Sequence, residues 1–313
     1  MNARVLLFLA AGILSVSSAA ILIRLAAAPA LATATWRLAI ASALLVAPWA
    51  LRARRAGGRP ELRRGHVIGL LAAGVFLAGH FGLWIASLSR TSVASSVALV
   101  ALNPLFVAVF ARFLLAETIG RRVVAGMATA IAGSILIGGT DFHAGSTALV
   151  GDAMALGGAV AGALYLVTGR ALKDRYSLLT YVLAVYGTAA LVLAVVAVAS
   201  GVPLWGYSTR TYVLFFLLAA LPQLVGHTSF NYALRFLPAS MVSVVILSEP
   251  VGATILAWWI LAERPQAAML AGGALVLAGV LVAVWPSAAG RRGGGRGQPG
   301  AGPRGGDARG GGG

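Results

Sequence analysis

Glu249 stands inside a largely apolar stretch running from Met241 to Leu261, with Pro250 as its neighbour. A charged side chain at the centre of a lipid bilayer costs at least about 2.5 kcal/mol, so a carboxyl there invites an explanation. Two chemistries fit. A carboxyl in the bilayer interior can take and release a proton during a transport cycle. A protonated carboxyl can instead satisfy backbone groups freed by Pro250, which has no N–H and releases a carbonyl near residue 246. Asn103, beside Pro104, repeats the second arrangement with a side chain that hydrogen-bonds but does not titrate.

Further polar residues interrupt apolar runs. Gln223, His227 and Asn231 are spaced i, i+4 and i+8, which places them on one helical stripe that should face a protein interior. His80 and Trp84 are spaced i, i+4, with Ser87 close to the same face. Each histidine could hydrogen-bond a substrate or accept a proton near neutral pH. Tyr165 lies among Gly157, Gly158 and Gly162 and offers either a stacking surface or core packing. Two histidines and a carboxylate without HxxxH-like spacing do not make a metal site. No metal or other cofactor is expected. Ser92, Ser95 and Ser96 share a face with Asn103 but read as helix-packing contacts. Arg37 follows Trp36 near the start of a helix, where snorkelling to the interface is preferred over binding an anionic group.

The elements that must position these residues are membrane helices. Of 313 residues 59% are hydrophobic and 10% charged, with mean hydropathy +0.91, whereas soluble domains carry roughly 25% charged residues. Apolar runs of about 20 residues suit helices crossing a bilayer, and the alternation of a transmembrane barrel is missing. Ten helices are expected, at 4–25, 31–51, 66–88, 92–115, 120–139, 149–169, 177–200, 210–233, 239–262 and 266–285. The first begins like a signal peptide, with Arg4 before Val5 to Leu25, but its length suits a retained helix. Trp205 and Tyr207 suggest a membrane interface.

The net charge of +16 does not imply nucleic acid in such a chain. With the N-terminus inside, 18 of the 24 basic residues fall in cytoplasmic segments, including six arginines from Arg52 to Arg64, around Gly57, Gly58 and Pro60. Positive residues concentrate on the cytoplasmic side of membrane proteins. Both termini are therefore expected in the cytoplasm, and Asp141, His143 and Asp152 outside. The Gly/Arg-rich tail, 287–313, has nothing to bury and is expected to be disordered.

The chain also repeats itself. Asn103-Pro104 precedes Leu115-Ala116-Glu117 as Glu249-Pro250 precedes Leu261-Ala262-Glu263, and Gly126 and Gly133 match Gly272 and Gly279, all at an offset of 146. Gly79-His80 matches Gly226-His227 at 147. Two halves, 1–139 and 149–286, each with five helices, must enter the membrane in opposite senses. The expected fold is an all-α membrane protein of ten transmembrane helices in two inverted five-helix repeats. Inverted repeats around a midplane site are a signature of secondary transporters. Glu117 and Glu263 end their helices and read as locally paired with Arg121 and Arg264. The five glycines Gly126, Gly133, Gly272, Gly273 and Gly279 mark close helix packing, either within the chain or at a homodimer seam.

These motifs, with Ala233 to Ala239 (Ala-Leu-Arg-Phe-Leu-Pro-Ala) and Ser248 to Val251 (Ser-Glu-Pro-Val), resemble the EamA-type members of the drug/metabolite transporter superfamily over roughly 5–285. The first helix departs from that family, with Ser15 to Ser18 where a Trp-Gly pair is common. The resemblance implies a ten-helix carrier of small metabolites, often an exporter, its cavity lined by the first, third, fourth, sixth, eighth and ninth helices. The residues expected at the substrate are His80, Trp84, Asn103, Tyr165, Gln223, His227, Asn231 and Glu249, with Glu249 coupling protons. An importer or exchanger would share the fold. An intramembrane enzyme or sensor would need a nucleophile–base set or a soluble domain, and neither is visible. No GxxxxGK[ST] phosphate loop is present to hydrolyse ATP. The expected partners are a small-molecule substrate, protons and the lipid of an inner (plasma) membrane.

Overall fold

The computed structural model describes residues 3–55, 64–91, 96, 99–138, 146–262 and 264–285. Every regular element among them is helical. Eight helices are long and apolar enough to cross a membrane. They are Ala3–Ala26, Ala30–Arg55, His66–Ser87, Thr147–Leu172, Leu178–Ala199, Thr209–Ala233, Ala239–Ile260 and Ala267–Val284. Two more apolar helices complete the described chain, Asn103–Leu114 and Arg121–Gly138. The sequence leads one to expect ten full spans. The fourth, expected over 92–115, is described as a regular helix only from Asn103 onward, and Ser92 and Ser95 lie outside the described residues. Asp141, His143, Glu263, the loop glycines Gly57 and Gly58 with Pro60, and the tail also lie outside them.

Side chains on the perimeter are those of a lipid-facing surface. Phe113 and Trp259 are 82% and 83% exposed, and a ring of such residues in water would be an aggregation surface. This is a multi-pass membrane protein.

Three of these spans, those at the places of the first, eighth and ninth expected helices, are interrupted. The first divides at Ser18 into α1 (Ala3–Ser17) and α2 (Ala19–Ala26), and the Ser18 hydroxyl donates back to Ser15 O at 2.7 Å. α3 (Ala30–Arg55) and α4 (Arg64–Ser87) follow. A turn at Ala101-Leu102 then leads into α5 (Asn103–Leu114), before α6 (Arg121–Gly138), α7 (Ser146–Leu172), α8 (Leu178–Ala199) and α9 (Thr209–Leu218). Ser177 and Ser208 cap α8 and α9, each accepting at 3.2 Å from a backbone N–H three residues on.

After α9 the eighth span becomes π-helical over Ala219–His227 before resuming as α10 (Thr228–Ala233). Pro222 lies within the wide turns. A proline denies its N–H to an α-turn and crowds the carbonyl four residues back, and i→i+5 bonding relieves both. The ninth span is two helices, α11 (Ala239–Ile246) and α12 (Glu249–Leu261), and α13 (Ala267–Val284) ends the described chain. Glu249 therefore begins a helix, where the sequence reading placed it inside a kinked one. Pro250 is the second residue of α12, where its missing N–H has no intrahelical partner to lose.

The repeat is visible in backbone detail. Asn103-Pro104 begins α5 as Glu249-Pro250 begins α12. Both Leu-Ala-Glu motifs end their helix with a left-handed alanine, φ 52° at Ala116 and 55° at Ala262. At Ala116 the Glu117 N–H reaches back to Ala111 O at 3.1 Å, which closes the helix end.

The repeat-matched glycines pack on one another. A Cβ at Gly133 would lie 2.5 Å from Gly272 O, and one at Gly279 would lie 2.5 Å from Gly126 O. Gly126 thus meets Gly279 and Gly133 meets Gly272, so α6 and α13 run in opposite directions. These four glycines serve an intramolecular seam, while Gly273 faces Val251.

Candidate functional site

Between the helix breaks lies a cavity of about 160 Å³. On the scale where one water occupies roughly 10–15 Å³, it holds on the order of ten small groups. Val16, Ala19 and Ala20 border it from the break in the first span, and Ile246, Leu247, Glu249 and Pro250 from the break in the ninth. The two breaks touch: Ser17 Oγ shares its one hydrogen between Ile13 O at 2.7 Å and Glu249 O at 3.2 Å. Gly252 is the residue that allows this approach, since a Cβ there would collide with Ser17 Oγ. Ser17 thus ties the first span to the backbone of Glu249.

His80, Trp84, Asn103, Tyr165, His227 and Glu249 all line the cavity. Two of them are held by backbone carbonyls of α7. His80 Nδ1 lies 2.9 Å from Gly158 O, and Asn103 Nδ2 donates to Ala159 O at 2.7 Å. A carbonyl can only accept, so His80 carries a hydrogen on Nδ1. Gly162 makes room for both side chains, because a Cβ there would come within 2.8 Å of His80 Nδ1 and 3.1 Å of Asn103 Nδ2. The His80 ring stacks on Trp84 at 15° with centroids 6.1 Å apart, and His227 meets Phe81 edge-on at 5.2 Å.

Gln223 and Asn231 do not line the cavity. They are buried behind its wall, where Gln223 Oε1 accepts from Arg37 Nε at 2.8 Å and Asn231 Nδ2 donates to Tyr165 OH at 2.5 Å. The π-turns offset Gln223 from His227, since positions i and i+4 do not superpose in them, whereas Asn231 follows His227 by one turn and donates to His227 O at 2.8 Å.

Arg37 overturns the snorkelling expectation. It is 1% exposed, turned inward from α3, and forms part of the cavity wall. Trp36 faces the aromatic cluster with Trp205 and Tyr212, and its Nε1 donates to Leu204 O at 2.7 Å, so its neighbour on the helix turns toward the protein interior. The Arg37 guanidinium lies 4.2 Å above the Phe81 ring, a cation–π contact strengthened by desolvation. Glu249 interacts with it electrostatically, although among the described residues no ion pair joins the two. Nothing in residue type or spacing marks Arg37 as inward. Its position two turns into an apolar helix was the available signal.

At the Glu117 end of the bundle a polar knot joins three connections. Glu117 Oε1 pairs with Arg170 Nε at 2.9 Å, Arg170 Nη1 donates to Leu234 O at 2.7 Å, and Ala239 N donates to Glu117 Oε2 at 3.3 Å. The expected local pairing with Arg121 is not what the fold uses, because folding brings the start of α11 and the last turn of α7 to the end of α5. Arg235 is anchored nearby, Nη2 donating to Tyr176 O.

Helices interrupted around a shared cavity, in two matched halves, define a membrane transporter architecture. The EamA-like transporter family model matches the chain twice, over residues 2–139 and 149–285, and the chain belongs to that family. It is thereby a membrane transporter of the drug/metabolite transporter superfamily, a family of carriers rather than enzymes. A solved crystal structure is similar over 91% of this chain and 97% of its own, with a TM-score of 0.77 at 20% identity, which supports the fold. No curated protein matches the chain significantly.

Proposed function

We propose that the protein is a secondary active carrier that moves a small metabolite across the inner membrane by alternating access, in the export direction. One observation carries this reading: polar residues from both repeats converge on a single cavity between the interrupted helices. Interrupted helices around a central cavity are how such carriers expose polar backbone and side chains without exposing them to lipid. In the full proposal the chain has ten spans in two inverted repeats, 1–139 and 149–286, with both termini and the tail 287–313 cytoplasmic. The arginine distribution supports that orientation, and the opposed run of α6 and α13 supports the inversion.

In this reading His80, Trp84, Asn103, Tyr165, His227 and Glu249 contact substrate, while Gln223 and Asn231 position Arg37 and Tyr165. Glu249 takes and releases the coupling proton. The Glu117–Arg170 knot closes the cytoplasmic side, and its opening lets the halves rock. The test is transport in proteoliposomes loaded with a pH-sensitive dye and challenged with a panel of amino acids and other metabolites. Proton movement coupled to one compound is expected, and Glu249→Gln should abolish the coupling. Coupled transport unchanged in Glu249→Gln would remove the proton role, and no flux of any compound would remove the carrier reading.

A further inference from the structure

Among the described residues Arg37 is the one arginine or lysine of the cavity wall, and its hydrogen bonding is incomplete. Nε is committed to Gln223 Oε1 and the guanidinium plane is held over Phe81, but Nη1 is buried with no hydrogen-bond partner among the described residues. A buried donor on a charged group is costly to leave unpaired. The neighbours are apolar or aromatic: Phe81, Trp84 and Phe230 flank the cavity with the rings of His80, Tyr165 and His227. Glu249 lines the same cavity, and among the described residues no ion pair joins it to Arg37. A ligand completing this site has one anionic group to meet the guanidinium and an apolar or aromatic body to lie against the rings. With one edge of the guanidinium engaged by Gln223, a carboxylate can meet the remaining donors, and its single charge costs less to bury among apolar walls than the double charge of a phosphate.

We propose that Arg37 anchors the anionic group of the substrate, so that the cavity selects small organic monocarboxylates with an apolar or aromatic body. This rests on the reading of the cavity as the transport site. Arg37 is the specificity-determining residue, Gln223 fixes the direction of its fork, and Phe81 holds its plane.

The test uses the full chain in lipid nanodiscs, titrated with phenylacetate, phenylacetamide and 2-phenylethylamine, which share a ring and differ in the polar group. Phenylacetate is expected to bind about tenfold to a hundredfold more tightly than the amide, the range of a charge-assisted hydrogen bond. Arg37→Gln should remove that preference, and Arg37→Lys should keep part of it. If Arg37→Gln yields no folded protein, the ranking of the three probes by the wild type decides alone. Equal binding of phenylacetate and its amide, tightest binding of the amine, or binding of none of the three would each overturn the inference. The carrier reading is judged separately by flux of the wider panel. A carrier that moves only neutral or cationic compounds would stand as a carrier and refute the role given to Arg37.

Discussion

The two halves of the chain agree in their scaffold and differ in their chemistry. Each has an X-Pro pair opening a helix, a left-handed alanine closing it, and two glycines in the seam between α6 and α13. The differences gather at the cavity. The X of X-Pro is Asn103 in the first half and Glu249 in the second. Arg37 comes from the first half, and at the offset of 147 that relates Gly79-His80 to Gly226-His227 the residue in the second is Ala184. The third span is regular α-helix through His80, while its counterpart widens into π-turns around Pro222. Each half thus brings one charge to the cavity, and neither half alone has both. Matched positions build the bundle and bring His80 and His227 to the cavity, and the differing ones bring it Arg37 and Glu249.

The largest effect should come from breaking the matched scaffold. Gly133→Leu drives a side chain into the Gly272 backbone, where a Cβ would already lie 2.5 Å from the carbonyl oxygen. Two helix backbones cannot both give way cheaply, so a loss of about 3 kcal/mol is expected. Gly272→Leu should cost about the same, since its Cβ would lie 2.6 Å from Gly133 O. Thermal unfolding of the purified protein in detergent measures both. Wild-type melting of either variant would show that the seam is not packed as described.

A smaller effect should come from erasing an unmatched feature. Pro222→Ala restores the missing N–H and lets Ala219–His227 return toward α-geometry, which rotates Gln223 away from Arg37. Losing a hydrogen bond to a charged group is worth about 1.5 kcal/mol, or roughly a tenfold rise in substrate KM, with the bundle still folded. Flux measured against substrate concentration separates KM from maximal rate. A KM unchanged in Pro222→Ala would mean that the π-turns do not serve the site.

This division also explains what the sequence could reveal. The matched features were legible because rare residues recurring at one offset stand out against an apolar background, as Asn103-Pro104 and Glu249-Pro250 do. Six of the eight residues singled out for the site come to the cavity because a polar group in an apolar helix has few other places to go. Gln223 and Asn231 are buried, as an interior-facing stripe requires, but lie off the cavity wall; π-turns around Pro222, which no periodicity rule anticipates, offset Gln223 from His227. For Arg37 the sequence offers both snorkelling and anion binding, because residue type beside an interface does not say which way the side chain turns. Glu117 was given a partner four residues away, while its partner Arg170 is 53 residues on, a pairing only tertiary structure supplies.

The finest test of the symmetry lies in the alanines. Ala116 and Ala262 hold φ of 52° and 55°, a conformation in which the Cβ of an L-residue crowds the following carbonyl at a cost of roughly 1 kcal/mol. Glycine removes that crowding but also frees the unfolded chain, which takes back part of the gain. Ala116→Gly and Ala262→Gly should therefore each stabilise by about half a kcal/mol, visible as a small rise in melting temperature. The two sites close different helices, so the double variant should show the sum. Ala27, at φ 47° with no matched alanine in the other half, should gain similarly when replaced, because the cost arises from local geometry. A melting temperature that falls in one member of the matched pair would show that its methyl group is packed, and that the halves already diverge at the end of the Leu-Ala-Glu motif.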